Sequence, residues 1–332
     1  MRRFAWLVLA TALGSCAPAN LDQPEQWRAV NVTATQVDFG AETVGRLRFR
    51  GGLELHSPDT VFGGLSGLEV LEDGRLFAIS DNGDWFEGQI QLNEGGALIG
   101  LSGVRTAFMR DERGELFPTK EEGDSEGLAQ LPDGRFAVSF EQSQTIRLYD
   151  MNRDGPFGAA TPGPSLAGTE RLPNNAGLEA LAATAGGELV VGAEGGEEGA
   201  TPIWVVPLNA SAPVPPRSGF PLREGFSLTS LDRLPDGGFV ALQRFYAPVI
   251  GARARISIFP AASLNARVEI LPDVQELATI SPPLAVDNME GVAAVRMADG
   301  ATRLYIVSDD NFNRRQRTLL LAFDIIENTE QR

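Results

Sequence analysis

Six carboxylates stand out as groups that could do chemistry together: Asp81, Glu126, Glu179, Glu290, Asp309 and Asp310. Each lies at an end of one recurring unit, in which a small or acidic residue and a Gly or Ala lead into an apolar stretch, a Gly-containing turn and a second apolar stretch that ends in charge. Five copies are visible. Ser66-Gly67-Leu68 leads through Asp73-Gly74 to Ser80-Asp81, and Glu126-Gly127-Leu128 through Asp133-Gly134 to Phe140-Glu141. Glu179-Ala180-Leu181 leads through Gly186-Gly187 to Ala193-Glu194, and Ser230-Leu231-Asp232 through Asp236-Gly237 to Gln243-Arg244. The fifth runs from Glu290-Gly291-Val292 through Asp299-Gly300 to Ser308-Asp309-Asp310.

Apolar stretches of strand length around an Asp-Gly or Gly-Gly pair predict a β-hairpin, whose antiparallel strands bring both charged ends to the end away from the turn. That geometry pairs Ser66 with Asp81, Glu126 with Glu141, Glu179 with Glu194, Ser230 with Arg244, and Glu290 with Asp309 or Asp310. If all five hairpins are inner strands around one axis, the pairs converge on one mouth. Carboxylates gathered there repel one another unless a cation sits among them. Hard oxygen donors favour Ca²⁺ over zinc, with Glu126, Glu179 and Glu290 as leading ligands and Asp81, Asp309 and Asp310, beside Asn82 and Asn311, adding oxygens. The alternative is that each acid caps a strand end and holds no metal. Arg244 interrupts the acidic series, either to grip two oxygens of a phosphate or carboxylate or to pair with a ring carboxylate.

The turn glycines Gly74, Gly134, Gly187, Gly237 and Gly300 recur every 50 to 63 residues. This spacing fits four-stranded antiparallel blades of a β-propeller, for which about 40 to 50 residues plus loops is typical. Dividing residues 29–326 by about 50 per blade predicts an all-β, six-bladed propeller, with five or seven blades as the alternatives. The sixth blade would combine residues 30–39 and 44–55 with the last strand, 318–325, so that both chain ends close the ring. A β-sandwich with similar hairpins is the competing architecture.

Composition narrows the partners. A formal charge of −16 repels phosphate backbones, so no nucleic-acid partner is expected. One His and one Cys exclude most zinc sites and any disulfide within the chain. The Cys lies at the amino end, where Met1-Arg2-Arg3 precedes an apolar run, residues 4–13, and then Leu13-Gly14-Ser15-Cys16. The run is far too short to span a membrane and predicts a signal peptide, residues 1–15. Leu13-Gly14-Ser15-Cys16 resembles a bacterial lipobox, which implies lipidation of Cys16, a tether over residues 16–28, and a periplasm-facing domain held at the outer membrane by its lipid anchor. A plain signal peptide and a soluble periplasmic protein is the alternative. Residues 327–332 are expected to be a tail, and the protein a monomer.

Other motifs fail on inspection. The run Asp309-x-Asn311-x-Asn313 begins like an EF-hand loop, but Arg314 and Leu320 occupy its Gly and final Glu positions. No G-x-S-x-G elbow supports Ser57, Ser66, Ser80 or Ser102 as a nucleophile, and His56, beside Ser57-Pro58, has the setting of a surface loop.

Four stretches carry a family resemblance: residues 62–68 (FGGLSGL), 78–81 (AISD), 124–128 (DSEGL) and 288–292 (NMEGV), followed by the closing runs 308–312 (SDDNF) and 316–320 (QRTLL). Together they resemble the bacterial phytase-like domain, also called the esterase-like activity of phytase family, over about residues 45–325. The resemblance implies an exported propeller related in name to phytases and esterases. Propeller phytases use lysines as well as acids, whereas this chain has Lys120 as its one lysine, which sets phytate itself aside.

The expected activity is metal-dependent hydrolysis of phosphate or carboxylate esters, acting on a small anionic ester. One of Glu126, Glu179 or Glu290 would serve as base, with Glu126 and Glu290 foremost, and Arg244 would steady developing charge. The rival readings are a noncatalytic envelope lipoprotein that binds or assembles an envelope protein, and a lactonase-like enzyme.

Overall fold

The computed structural model describes residues 26–172, 176–195, 199–265 and 267–327. The signal-peptide, Cys16 and C-terminal tail expectations therefore fall outside the described residues, apart from 26–28 and 327. Among those described, no helix is long and apolar enough to cross a membrane.

The chain forms a propeller of five blades, not six. The inner strands are Leu65–Val70, Ser125–Gln130, Ala180–Ala183, Ser227–Arg233 and Asn288–Arg296, and each begins an antiparallel sheet that runs outward strand by strand. The expected sixth blade dissolves into the fifth. Thr318–Ile325 pairs with Thr302–Asp309 of the fifth hairpin, and Leu47–His56 pairs in turn with Thr318–Ile325. The short strands Thr33–Gln36 and Thr43–Val44 add to that edge. Chain ends from opposite termini thus complete one sheet, which closes the ring as expected while removing the extra blade. The length estimate failed because the strands within residues 33–56 join the fifth sheet instead of founding a blade of their own, while the steps between turn glycines run up to 63 residues.

Each blade is covered on both faces, so its strands are apolar almost throughout. Five separate cores fill the five joints between blades. Trp85 and Ile79 meet Val138 and Phe140 between the first two blades, and Ile146 meets Trp204 between the second and third. Ile203 packs with Phe239 between the third and fourth, Leu242 with Leu304 between the fourth and fifth, and Tyr305 with Leu68 where the fifth returns to the first.

The inner strands touch one another around the axis. What permits this is the Gly that follows the ring position. A Cβ on Gly127 would lie 2.5 Å from Ser139 Oγ, 2.7 Å from the Glu179 carbonyl oxygen and 2.8 Å from Leu181 Cβ, and Gly67 and Gly291 meet Leu128 and Leu68 in the same way. Hydroxyls tie the same joint: Ser66 Oγ donates to the Ser125 carbonyl at 2.6 Å, and Thr229 Oγ1 to that of Met289 at 3.2 Å.

Gly127→Ala is expected to cost about 1–3 kcal/mol through overpacking of this joint. Gly100→Ala, where a Cβ would meet nothing closer than 3.5 Å, should leave stability nearly unchanged. Urea unfolding of the two variants checks the difference.

Candidate functional site at the channel mouth

A β-bulge re-aims the leading residue of the inner strands. Leu65 pairs with Ser80 and Gly67 with Ile79, leaving Ser66 as the extra residue; Thr229 and Glu290 are left in the same way. In the second blade the irregularity falls between Ser125 and Leu128 and contains Glu126. In the third, Glu179 stands immediately before the strand. The ring position is therefore occupied by Ser66, Glu126, Glu179, Thr229 and Glu290. This corrects the fourth copy by one residue: Thr229 holds the place expected for Ser230, and Ser227, not Ser230, faces Arg244 across the hairpin. Ser230 instead accepts a hydrogen bond from Val292 N at 3.1 Å.

The structure gathers the expected residues. Burial raises the pKa of Glu126 most, and the charges of Glu179, Asp124, Glu290 and Glu141 add to it. Glu179 is raised by burial and then by Glu194 and Glu290, with Arg244 opposing. Glu290 is pushed up to about 8, chiefly by burial and against the pull of Arg244. Asp309 rises to about 7 through burial, with Asp81 and Asp310 adding repulsion against a backbone hydrogen bond from Asn311.

Arg244 is held between blades. Its Nη2 lies 2.5 Å from Glu194 Oε1, and its Nη1 lies 2.8 Å from Asn288 Oδ1 and 3.2 Å from Glu290 Oε1. Asn288 Nδ2 donates to the same Glu290 oxygen at 2.7 Å. This fixes Glu290 through Oε1 and leaves its buried Oε2 without a hydrogen-bond partner among the described residues. Of the two roles open to Arg244, the ion pair with ring carboxylates is the one the structure displays. Asp310 accepts from Gly64 N at 3.2 Å and from Phe312 N at 3.0 Å, and so joins the fifth blade to the first.

Asp124, Glu141, Lys120, Glu194 and Asn288 join the site beyond the residues expected from sequence. Asp124, Glu126 and Glu141 can each present a carboxylate oxygen such that the three lie within 4.8 Å of one another, a spacing that suits a cation. Glu141 was legible as the hairpin partner of Glu126, and Asp124 stands two residues before it. Lys120, on the short helix Lys120–Gly123, places Nζ 2.9 Å from Asp124 and 3.1 Å from Asp81. Hard oxygen donors and a cluster of the right spacing together fit a divalent cation such as Ca²⁺. Asp124, Glu126 and Glu141 would hold it, with Glu179 and Glu290 beside them.

Fold and site define a five-bladed propeller with a carboxylate-lined mouth. The chain belongs to the phytase-like family, described as esterase-like activity of phytase, which it matches over residues 60–312. No curated protein matches it. Solved structures similar to it include a gluconolactonase from Xanthomonas campestris, with 11% identity over 90% of this chain and 97% of that one and a TM-score of 0.42. The PQQ-bound aldose sugar dehydrogenase of Streptomyces coelicolor gives 14% identity, 89% and 99% coverage and a TM-score of 0.41. The calcium structure of a Trichoderma reesei carbohydrate-active enzyme of family AA12 gives 13%, 91% and 98%, and 0.40. At these TM-scores the three bear on neither fold nor chemistry here.

The raised carboxylates set a pH dependence. A carboxyl group whose folded pKa lies above its unfolded value binds more protons when folded, so stability falls as pH rises from the unfolded pKa through the folded one. Without a cation, the melting temperature should therefore climb as pH is lowered from about 8 to about 5, the window set by Glu290, Asp309 and the raised Glu126 and Glu179. Thermal melts in chelator across that range test the sign, and Glu126→Gln should flatten the slope.

Proposed function

We propose that this protein is a divalent-cation-dependent ester hydrolase working at the channel mouth, with Ca²⁺ as the cation. The observation that carries this reading is the convergence of Asp124, Glu126 and Glu141 within 4.8 Å beside a Glu290 that is anchored on one oxygen and free on the other. A cation bound there supplies Lewis-acid polarisation of a carbonyl and acidifies a bound water.

The chain's own residues do the remaining work. Arg244 and Asn288 orient Glu290, whose free Oε2 accepts a proton from the attacking water. The water oxygen bonds to the acyl carbon, the bond to the alcohol oxygen breaks, and the proton passes from Glu290 to the departing alkoxide, giving acid and alcohol. Arg244 acts as a positioning residue that also offsets charge at Glu290 and Glu194.

The charge at the mouth disfavours anionic substrates. Asp81, Asp124, Glu126, Glu141, Glu179, Glu194, Glu290, Asp309 and Asp310 outnumber Lys120 and Arg244, and one divalent ion offsets two charges. A phosphate monoester would meet residual repulsion there, so carboxylic esters and lactones come ahead of phosphate esters. The lipobox-like segment at Cys16 supports a site of action in the cell envelope, with the propeller tethered by lipid at the outer membrane.

Calcium content and thermal melting before and after chelation test the reading. Bound calcium should raise the melting temperature by about 5 °C or more at saturating concentration, and Glu126→Gln should abolish that shift. Glu290→Gln should keep the fold and lose turnover of carboxylic esters. No bound metal and no shift would make the carboxylates structural and return the propeller to a binding platform in the envelope.

A further inference from the structure

We propose that the tip of the fourth blade's hairpin is a specificity lip, against whose Tyr246 the apolar, ring-bearing body of a neutral ester lies while its ester group reaches the carboxylates. This rests on the hydrolase reading and adds the substrate class. The strands Phe239–Ala247 and Gly251–Phe259 stay paired beyond Arg244, through Phe245 with Arg253, Tyr246 with Ala252 and Ala247 with Gly251. In the first blade the equivalent hairpin closes at Ser80 with Asp84, and in the second at Phe140 with Thr145. Three further residues at about 3.3 Å each lift the fourth hairpin about 10 Å above the ring.

Strand alternation places Tyr246 on the face of Arg244, about 7 Å higher. Arg244 reaches Glu194 and Glu290 from that face, so Tyr246 overlooks the same mouth. The finger is anchored at its base, where Phe245 packs on Phe226 at 5.4 Å and lies under Arg253 at 5.6 Å. The tip itself is left in solvent. Tyr246 is 68% exposed, Ile250 50%, and Val249 is fully exposed. Val249 also holds φ at 74°, a conformation unfavourable for a β-branched side chain. Nothing in the packing of the blade requires these apolar side chains, and residues 245–251 carry no charge, in contrast to the acidic mouth below. A second aromatic borders the mouth from the fifth blade: Phe312, 42% exposed with φ at 49°, packs beside Gly63 and Gly64 next to Asp310. The acidic floor turns away an anion, and the exposed aromatic walls offer a flat apolar body its contact surface.

The test uses the full, calcium-loaded protein and two readouts. The first is binding of 2-acetonaphthone, an unreactive ketone that carries the expected body, measured by fluorescence titration beside acetone. The second is the preference in kcat/KM for 2-naphthyl acetate over ethyl acetate. Tyr246→Ala should weaken 2-acetonaphthone binding and reduce the naphthyl preference, each by about tenfold, the scale of one stacked aromatic contact with its buried area; Tyr246→Phe should restore both. Lost ketone binding in Tyr246→Ala without turnover of any ester in the native protein would sustain the lip and overturn the hydrolase reading. Turnover with an unchanged naphthyl preference in Tyr246→Ala would sustain the hydrolase and overturn the lip, and absence of both binding and turnover would overturn both. If Tyr246→Ala changes neither readout while paired Val249→Ser and Ile250→Ser changes abolish sedimentation with phosphatidylglycerol vesicles, the tip is a membrane contact and the lip is wrong.

Discussion

At the start of each inner strand one side chain has to reach the mouth while the next residue makes room for the neighbouring blade, and the β-bulge meets both demands. Regular alternation would send consecutive residues to opposite faces. The extra residue at Ser66, Thr229 and Glu290, and the matching irregularity at Glu126, break that alternation where it would otherwise hide the ring position. The residue that follows must then be small, because the next inner strand lies against it. Gly67, Gly127 and Gly291 meet this limit, and Ala180 and Ser230 take the place in the other two blades. The packing that closes the ring and the chemistry of the mouth are therefore set by the same dipeptide.

Closing the ring concentrates charge. Glu179 and Glu290 are each 9% exposed, so neither can rely on water to screen it. Arg244 offsets part of the repulsion by bridging the third, fourth and fifth blades, and Lys120 does the same between the first and second through Asp81 and Asp124. Protonation or a divalent ion can settle the remainder, and the ion has the advantage that it keeps every carboxylate available at neutral pH.

Much of this was legible in sequence because the repeat writes its geometry into residue types. Asp-Gly turns fix where each hairpin reverses, and antiparallel pairing then dictates which ends meet, so Glu126, Glu179, Glu290 and Asp309 were placed together from spacing. Two features were hidden for physical reasons. Blade number depends on whether the terminal strands found a new sheet or complete an old one, and the pairing of Thr318–Ile325 with Thr302–Asp309 leaves no local trace in either strand. The bulge in turn shifts register by one residue without changing apolar pattern, which is why Thr229 was concealed behind Ser230. Tyr246, Val249 and Ile250 were hidden differently, since an apolar stretch in a repeat protein has the same appearance whether it fills a core or projects from one.

Proton handling at the mouth follows from what the fold leaves out of it. The chain's single histidine, His56, ends Leu47–His56 at an exposed position on the fifth blade, paired with Thr33 on the outer edge strand. A strand order that puts Leu47–His56 fourth from the axis keeps that imidazole away from the inner strands. Any base acting at the ring is then a carboxylate, and a carboxylate serves best when one oxygen is fixed and the other is free. Glu290 meets this condition, with Arg244 and Asn288 on Oε1 and, among the described residues, no partner on Oε2. Glu126 lies instead within the oxygen cluster it shares with Asp124 and Glu141, where a cation would occupy the lone pairs a base needs. The two glutamates hold equivalent places in the repeat, and under the proposed activity their different neighbours would divide the work between them.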